Sequence, residues 1–472
     1  MMSYILRPLF SPVNKIFIPG PGNSSLCRGT FPAGLSRQIR IHCPPVNDRL
    51  APFSTDPLYI RLSPEEKALL ENRAETCRLS FQDLKNLLDM AADLRSWGRG
   101  SLTELWKDPP EQLTGKDRKH WSLARIRSLW EELKLRGPDY REVSGPPAPR
   151  QEPLRLNEEE APEELILLGR CPVASEKTRC CSLLTLDAVQ SCGFDCSYCT
   201  IQSFYSREGI RFHSNLEEKL RRLEKELDPR EVYHIGTGQS SDSLLWGNRG
   251  DLLASLWSLA RRNPNVILEL KTKSDNIAWV LDNPPPANML LTWSLNTGTI
   301  IRHEERGTAS LERRLAAARA AADRGILVGF HFHPMVRYAG WEEEYRELFR
   351  ELLGRFRPEE TALVSLGTLT YIKPVIRKIR RRGGPTRILQ LPLEETAGKF
   401  SYPHEMKREL FSLAWEELRP WHDRVFIYLC MEEPSLWKEV MNREFEDNDS
   451  FEKAMKAAYL EKILANSSRN LL

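Results

Sequence analysis

Three cysteines within eight residues, Cys192-Gly193-Phe194-Asp195-Cys196-Ser197-Tyr198-Cys199, constrain this chain more than any other feature. Thiolates at C-x3-C-x2-C spacing can wrap one corner of an inorganic cube, and cysteine is the usual protein ligand of iron–sulfur clusters. Three ligands for four irons leave one iron open to a substrate or cofactor. The alternative is a zinc site completed by Cys180, Cys181 or His213, although structural zinc usually brings two separated, tighter pairs. Five of the ten cysteines lie between Cys180 and Cys199. That clustering points to a metal and a reducing, cytoplasmic setting rather than a disulfide scaffold.

The chain has 472 residues, with 68 Lys+Arg against 65 Asp+Glu, a net charge of +3. This balance excludes a polybasic binder and an acidic, solvating chain alike. No apolar run approaches the roughly 18 residues of a membrane span. Residues 1–57 read as a basic, proline-interrupted leader, disordered or loosely attached. Residues 58–140 read as a small helical domain: Ser63-Pro64-Glu65-Glu66 makes a capping box, and Phe81, Leu84, Leu88, Ala91 and Leu94 repeat at helical spacing behind Ser80. A third helix carries Trp121, Leu123, Ile126 and Trp130. Residues 141–162 form a proline-rich linker, and residues 441–472 a charged, peripheral helical tail.

Between residues 163 and 440, short apolar strands alternate with charged helices. The candidate strands are 183–189, 232–238, 266–272, 289–296, 327–334, 362–368 and 426–431, with helical patterns at 215–227, 311–324 and 341–353. Such alternation predicts a parallel α/β fold, either an open sheet or a complete or partial (β/α) barrel. Strand alternation sorts the side chains further. Glu269, Lys271 and Lys273 share one face, as do Thr292, Ser294 and Asn296, and His331 and His333. Three strands thus present one polar face each, which predicts a polar lumen. A buried lysine needs an anionic partner, so Lys273, Ser294 and Asn296 are candidate ligand contacts. His331 and His333 are either catalytic or satisfied core histidines. Gly236-Thr237-Gly238 at a strand end allows close backbone approach to a ligand.

The triplet with its aromatic Tyr198, placed after the first strand of such a domain, resembles the signature of the radical S-adenosylmethionine (radical SAM) superfamily. Ile235–Gly238, Leu270–Lys273, Trp293–Asn296, Arg302–Ser310, Gly329–Pro334, Ala339–Glu342 and Tyr428–Glu432 follow in the order of the spore photoproduct lyase branch. The resemblance covers about residues 180 to 440. It implies a partial (β/α) barrel holding a [4Fe–4S] cluster at Cys192, Cys196 and Cys199. It also implies SAM near Tyr198, Lys273 and Ser294, a 5′-deoxyadenosyl radical, and an electron donor such as flavodoxin or ferredoxin. Lyase chemistry in DNA repair is the corresponding expectation.

Two further observations bear on the substrate. Lys373, Arg377, Lys378, Arg380, Arg381, Arg382 and Arg387 form a local basic segment, a candidate contact for a nucleic-acid backbone or else a solvated helix end. Ile388–Leu393 then alternates as a hairpin strand does, and the resembled lyases use a hairpin here to help extrude a base. The second observation is a departure. Where the resemblance implies a hydrogen-donating cysteine, just before Ser240-Ser241-Asp242, this chain has Gln239, and Thr200 stands where a tyrosine follows the third ligand. Gln239 is therefore a candidate site residue of another kind, able to bind SAM or a base edge but not to donate a hydrogen atom. The alternatives are a small-molecule or peptide substrate, or a metal-bearing nucleic-acid-binding protein without turnover.

Overall fold

A computed structural model describes residues 49–143, 155–163, 168–171, 177–200, 209–238, 240–396 and 398–469. The leader up to residue 48, the middle of the linker and Gln239 lie outside the described residues.

The helical segment forms as its caps dictate. Helix α1 (Pro64–Thr76) opens on a reciprocal box: Ser63 Oγ accepts from the Glu66 N–H, and the Glu66 carboxylate accepts from the Ser63 N–H at 2.9 Å. Ser80 and Asp83 repeat that arrangement for α2 (Phe81–Ser96). Helix α3 (Gly115–Arg136) stops at Gly137, whose φ of 74° suits glycine. Leu70, Leu84, Leu88, Leu94 and Trp97 form the core between them.

Eight strands make the central sheet: β1 (Leu168–Arg170), β2 (Leu184–Leu186), β3 (Tyr233–Thr237), β4 (Val266–Thr272), β5 (Met289–Ser294), β6 (Val328–Met335), β7 (Thr361–Thr368) and β8 (Phe426–Leu429). Their spatial order follows chain order. Strands β2 to β8 are parallel, and β1 joins antiparallel to β2. Parallel neighbours require crossovers, supplied by α4 (Leu216–Glu224), α5 (Leu252–Arg262), the short helix Ala278–Asp282, α6 (Leu311–Asp323), α7 (Trp341–Arg355) and, between β7 and β8, α8 (Lys373–Arg382) with α9 (His404–Glu417). The sheet curls into a half-barrel. Arg179, ahead of β2, bridges Glu432, beyond β8, so the chain closes a seam near the two edges.

Two sequence expectations are corrected here. The tail is not peripheral: α10 (Asn448–Arg469) buries Phe451, Met455 and Tyr459 completely against the last strands. Their spacing of four residues makes one apolar stripe. Residues 388–393 are not a strand. Ile388, Leu389 and Leu391 are core residues, and the Gln390 amide donates to the carbonyls of Leu133 and Gly137 at 3.3 and 3.1 Å. A short hairpin, Glu394–Thr396 with Lys399–Ser401, follows instead.

Candidate active site

The cysteine loop leaves β2 and lies at the C-terminal ends of the parallel strands. Asp195 and Cys196 pair antiparallel with Arg306 and Glu305, which follow β5. The Cys199 N–H donates to the Cys196 carbonyl at 3.3 Å, turning the chain between those two thiols. Gly193 is required: a Cβ there would lie 2.6 Å from Leu245 and 2.9 Å from Trp246. The three thiols act on one another electrostatically. Burial pushes the Cys196 thiol up to about 12, with the Lys273 ammonium opposing it.

Lys273 stands at the centre of a buried ionic group. Its Nζ lies 3.9 Å from Cys196 Sγ, 2.9 Å from Glu305 Oε1 and 4.7 Å from the Tyr198 ring centroid. Tyr198 donates its hydroxyl to Glu305. Arg314 donates to the other Glu305 oxygen at 2.5 Å and to the Ser294 carbonyl at 2.8 Å. Burial alone would raise the Glu305 carboxyl, yet Arg314 and Lys273 outweigh it and hold it at about 2.

Glu304 faces the other way and ties the loop to the helical segment. Its carboxylate accepts from Tyr140 Oη at 2.7 Å, Thr386 Oγ1 at 2.6 Å, the Arg387 N–H at 2.9 Å and the Ser197 hydroxyl. Arg382 completes the support, donating to the carbonyls of Asp195 and Cys196 at 2.8 and 3.0 Å. Glu304, Glu305 and Arg314 are the residues that sequence reasoning missed as site residues, and Arg382, expected at a nucleic-acid backbone, supports the cysteine loop instead. The first two lie inside the quoted Arg302–Ser310 block, where consecutive glutamates were the available signal.

Deeper in the lumen, Glu269 accepts from Thr292 Oγ1 at 2.8 Å, with His331 Nε2 at 2.6 Å and His234 Nε2 at 2.8 Å. Burial, and then the Lys271 charge, hold His331 down at about 4. His333 Nε2 lies 2.8 Å from Ser365 Oγ. The two histidines thus have protein partners, as core histidines do. Asn296 also departs from the ligand role expected of it: its amide donates to the Pro334 carbonyl and accepts from the Tyr345 hydroxyl and the Thr297 N–H, all within 3.0 Å. At Gly236-Thr237-Gly238 the close approach is to protein. A Cβ on Gly236 would meet Leu183 at 2.8 Å, and one on Gly238 would meet the Lys271 carbonyl at 2.5 Å. Thr237 bonds the Ser243 hydroxyl at 2.7 Å. Ser294 and Lys273 remain on the lumen face beside the cysteine loop.

The basic segment divides in two. Arg380 pairs with Asp93 at 2.8 Å and Asp89 at 3.2 Å, Arg381 with Asp56 at 2.9 Å, Arg382 with Asp195, and Arg387 with Glu142 at 3.4 Å. The phosphate role expected of these four is corrected to docking α8 and the following turn between the helical segment and the cysteine loop. Lys373, Arg377 and Lys378 are exposed. No helix among the described residues is long and apolar enough to cross a membrane.

Residues 175–406 match the family described as spore photoproduct lyase. The chain is 28% identical over 216 residues to the spore photoproduct lyase of Geobacillus sp., covering 45% of this chain and 62% of that protein. With the Bacillus subtilis enzyme it shares 29% over 164 residues, 34% of this chain and 48% of that one. The chain therefore spans less than two thirds of the length of these relatives. A solved point mutant of spore photoproduct lyase shares the fold, with TM-score 0.50 and 21% identity over 64% of this chain and 94% of that chain. The half-barrel is the fold that the chain shares with that structure, and the cysteine triplet lies at its C-terminal mouth. The segment 175–406 is similar to the spore photoproduct lyases.

Proposed function

We propose that the chain is a radical SAM enzyme acting on a modified or damaged nucleobase. The observation that carries this reading is the cysteine loop packed against Lys273, Tyr198 and Glu305 inside a family-matched half-barrel. The donor set fits a [4Fe–4S] cluster: three half-buried or buried thiols, none in a disulfide, beside a lysine cation. Cys192, Cys196 and Cys199 would hold the cluster, and Lys273, Ser294 and Tyr198 would line the SAM site. When bound and reduced, the cluster supplies the electron that splits SAM into methionine and a 5′-deoxyadenosyl radical.

The remaining work falls to this chain. Glu305 fixes the Lys273 ammonium and the Tyr198 ring in one position, so neither has to be ordered when ligand enters. Arg382 and Glu304 hold the loop backbone from behind. Nucleic acid as substrate is supported by the similarity to spore photoproduct lyases and by the exposed Lys373, Arg377 and Lys378. A small-molecule substrate is the second reading, favoured by the internal ion pairs of Arg380, Arg382 and Arg387. With Gln239 where the resemblance implies a thiol, this reading expects no efficient repair of spore photoproduct through a cysteine at that position.

The test is anaerobic incubation of reconstituted protein with reductant, SAM and damaged or natural nucleic acid, with the bases mapped afterwards. Base change at defined positions, with salt-sensitive binding, supports the first reading. Deoxyadenosine formation without any nucleic-acid binding moves the small-molecule reading ahead.

A further inference from the structure

Four cysteines outside the cluster loop converge at the barrel seam. The backbone brings them there. The Arg179 N–H donates to the Glu432 carbonyl at 2.9 Å and the Met431 N–H to the Arg179 carbonyl at 3.1 Å, which sets Cys180 beside Cys430. The Cys171 N–H donates to the Leu183 carbonyl at 3.0 Å, which brings Cys171 to the same place. The Cys430 N–H bonds the Leu366 carbonyl at 2.7 Å, fixing it at the end of β8. None of the four is in a disulfide. Cys180 and Cys181 are buried, while Cys171 and Cys430 are partly open.

The seam faces the lumen: His331 on β6, Ser365 on β7 and Tyr428 on β8 are in register, and Cys430 follows Tyr428 by two residues, on the same face. Lys271, on β4 at the opposite side of the sheet, acts on both Cys430 and Cys171, and also on His331 and His333. Lys271 and Lys273 lie two residues apart on one face, about 7 Å along a strand. Lys273 reaches the cysteine loop and Lys271 faces the seam thiols, so Cys430 and the cysteine loop border one lumen.

We infer that Cys430 is a catalytic thiol that gives a hydrogen atom to the product radical, with Cys171 and the Cys180–Cys181 pair behind it as a reserve. This rests on the radical chemistry proposed above. Hydrogen abstraction leaves a carbon-centred radical that must be quenched, and a thiol carries one of the weakest bonds to hydrogen among protein side chains. In the step, a C–H bond forms and the Cys430 S–H bond breaks, leaving a sulfur radical. A neighbouring thiol can pass its hydrogen on in turn. One electron from the low-potential donor that serves the cluster, with one proton from water, restores the thiol. Burial raises Cys430 well above the usual thiol range, so it keeps its hydrogen at neutral pH. Cys180 is held at about 7 by its hydrogen bond with Cys181.

The experiment uses full-length protein and SAM alone. In deuterated water, thiols exchange their hydrogen, and uncoupled SAM cleavage returns 5′-deoxyadenosine whose isotopic content reports the donor. The monodeuterated fraction is expected to fall severalfold in Cys430→Ser and to stay at the wild-type level in Cys77→Ser, a residue of the helical core. A second readout needs no cofactor: mild treatment with a small-molecule disulfide should join Cys430 to Cys171, Cys180 or Cys181, as mapped by mass spectrometry. An unchanged deuterium fraction in Cys430→Ser, or no cross-link among these residues, overturns the assignment. Failure of the underlying reading looks different, since the wild type would then release no 5′-deoxyadenosine and the cross-link would still form.

Discussion

Two glutamates sit at different depths of one lumen and are held by different means. Glu305, at the mouth, lies between the permanent charges of Arg314 and Lys273. Glu269, deeper, is held by Thr292 and by histidines, one of which burial keeps neutral. The mouth is an ionic lock that keeps its charges at every ordinary pH. The deeper layer is a hydrogen-bond network, and acid can dismantle it.

The largest expected effect breaks the lock. Glu305→Ala leaves two buried cations without their anion and should cost about 3–5 kcal/mol of stability. Denaturant titration measures it, and iron retention should drop in parallel. Glu269→Gln should cost less, on the order of 1–3 kcal/mol, because a neutral acceptor can keep part of the network. Equal losses in the two variants would erase the distinction.

The second prediction concerns pH. His331 falls from an unfolded value near 6.5 to about 4 in the folded chain, so between these values the unfolded state binds more protons. Stability is therefore full above pH 6.5 and is lost as pH falls toward 4, by on the order of 3 kcal/mol. Unfolding curves across that window should show the slope in the wild type and a shallower one in His331→Gln. Glu305→Gln should leave the slope in place.

The same contrast between inward and outward charge runs along α8. Arg380→Ala removes a paired guanidinium from Asp93 and should cost about 1.5–3 kcal/mol. Reversing Arg380, Arg381 and Arg382 together would undock the helix, and so cannot diagnose phosphate contacts. Lys373→Glu with Arg377→Glu is the smaller and cleaner change: stability within about 0.5 kcal/mol, and a salt dependence of nucleic-acid binding shallower by about two counterions. An unaltered slope would remove these two residues from any nucleic-acid surface.

What was legible in the sequence follows from the range of the interactions involved. Strands with strict alternation, the caps at Ser63 and Ser80, and the cysteine loop are local patterns, and they appear where the residues place them. Strand β1 has three residues, too few for a period. The basic run was misread because charge alone does not reveal a partner, and Asp93 lies 287 residues from Arg380. The stripe Phe451, Met455 and Tyr459 was visible, but its charged neighbours obscured it. Cys430 lies inside the Tyr428–Glu432 block, but closure of the seam, which no local pattern encodes, brings it beside Cys180.

The central claim is that Cys192, Cys196 and Cys199 hold an iron–sulfur cluster that splits SAM. Anaerobic reconstitution followed by iron, sulfide and 5′-deoxyadenosine analysis tests it most directly. The account predicts about four irons and four sulfides per chain, with reductant-dependent deoxyadenosine from the wild type and neither cluster nor deoxyadenosine from Cys196→Ala. Stoichiometric zinc without iron in protein purified free of oxygen would contradict it.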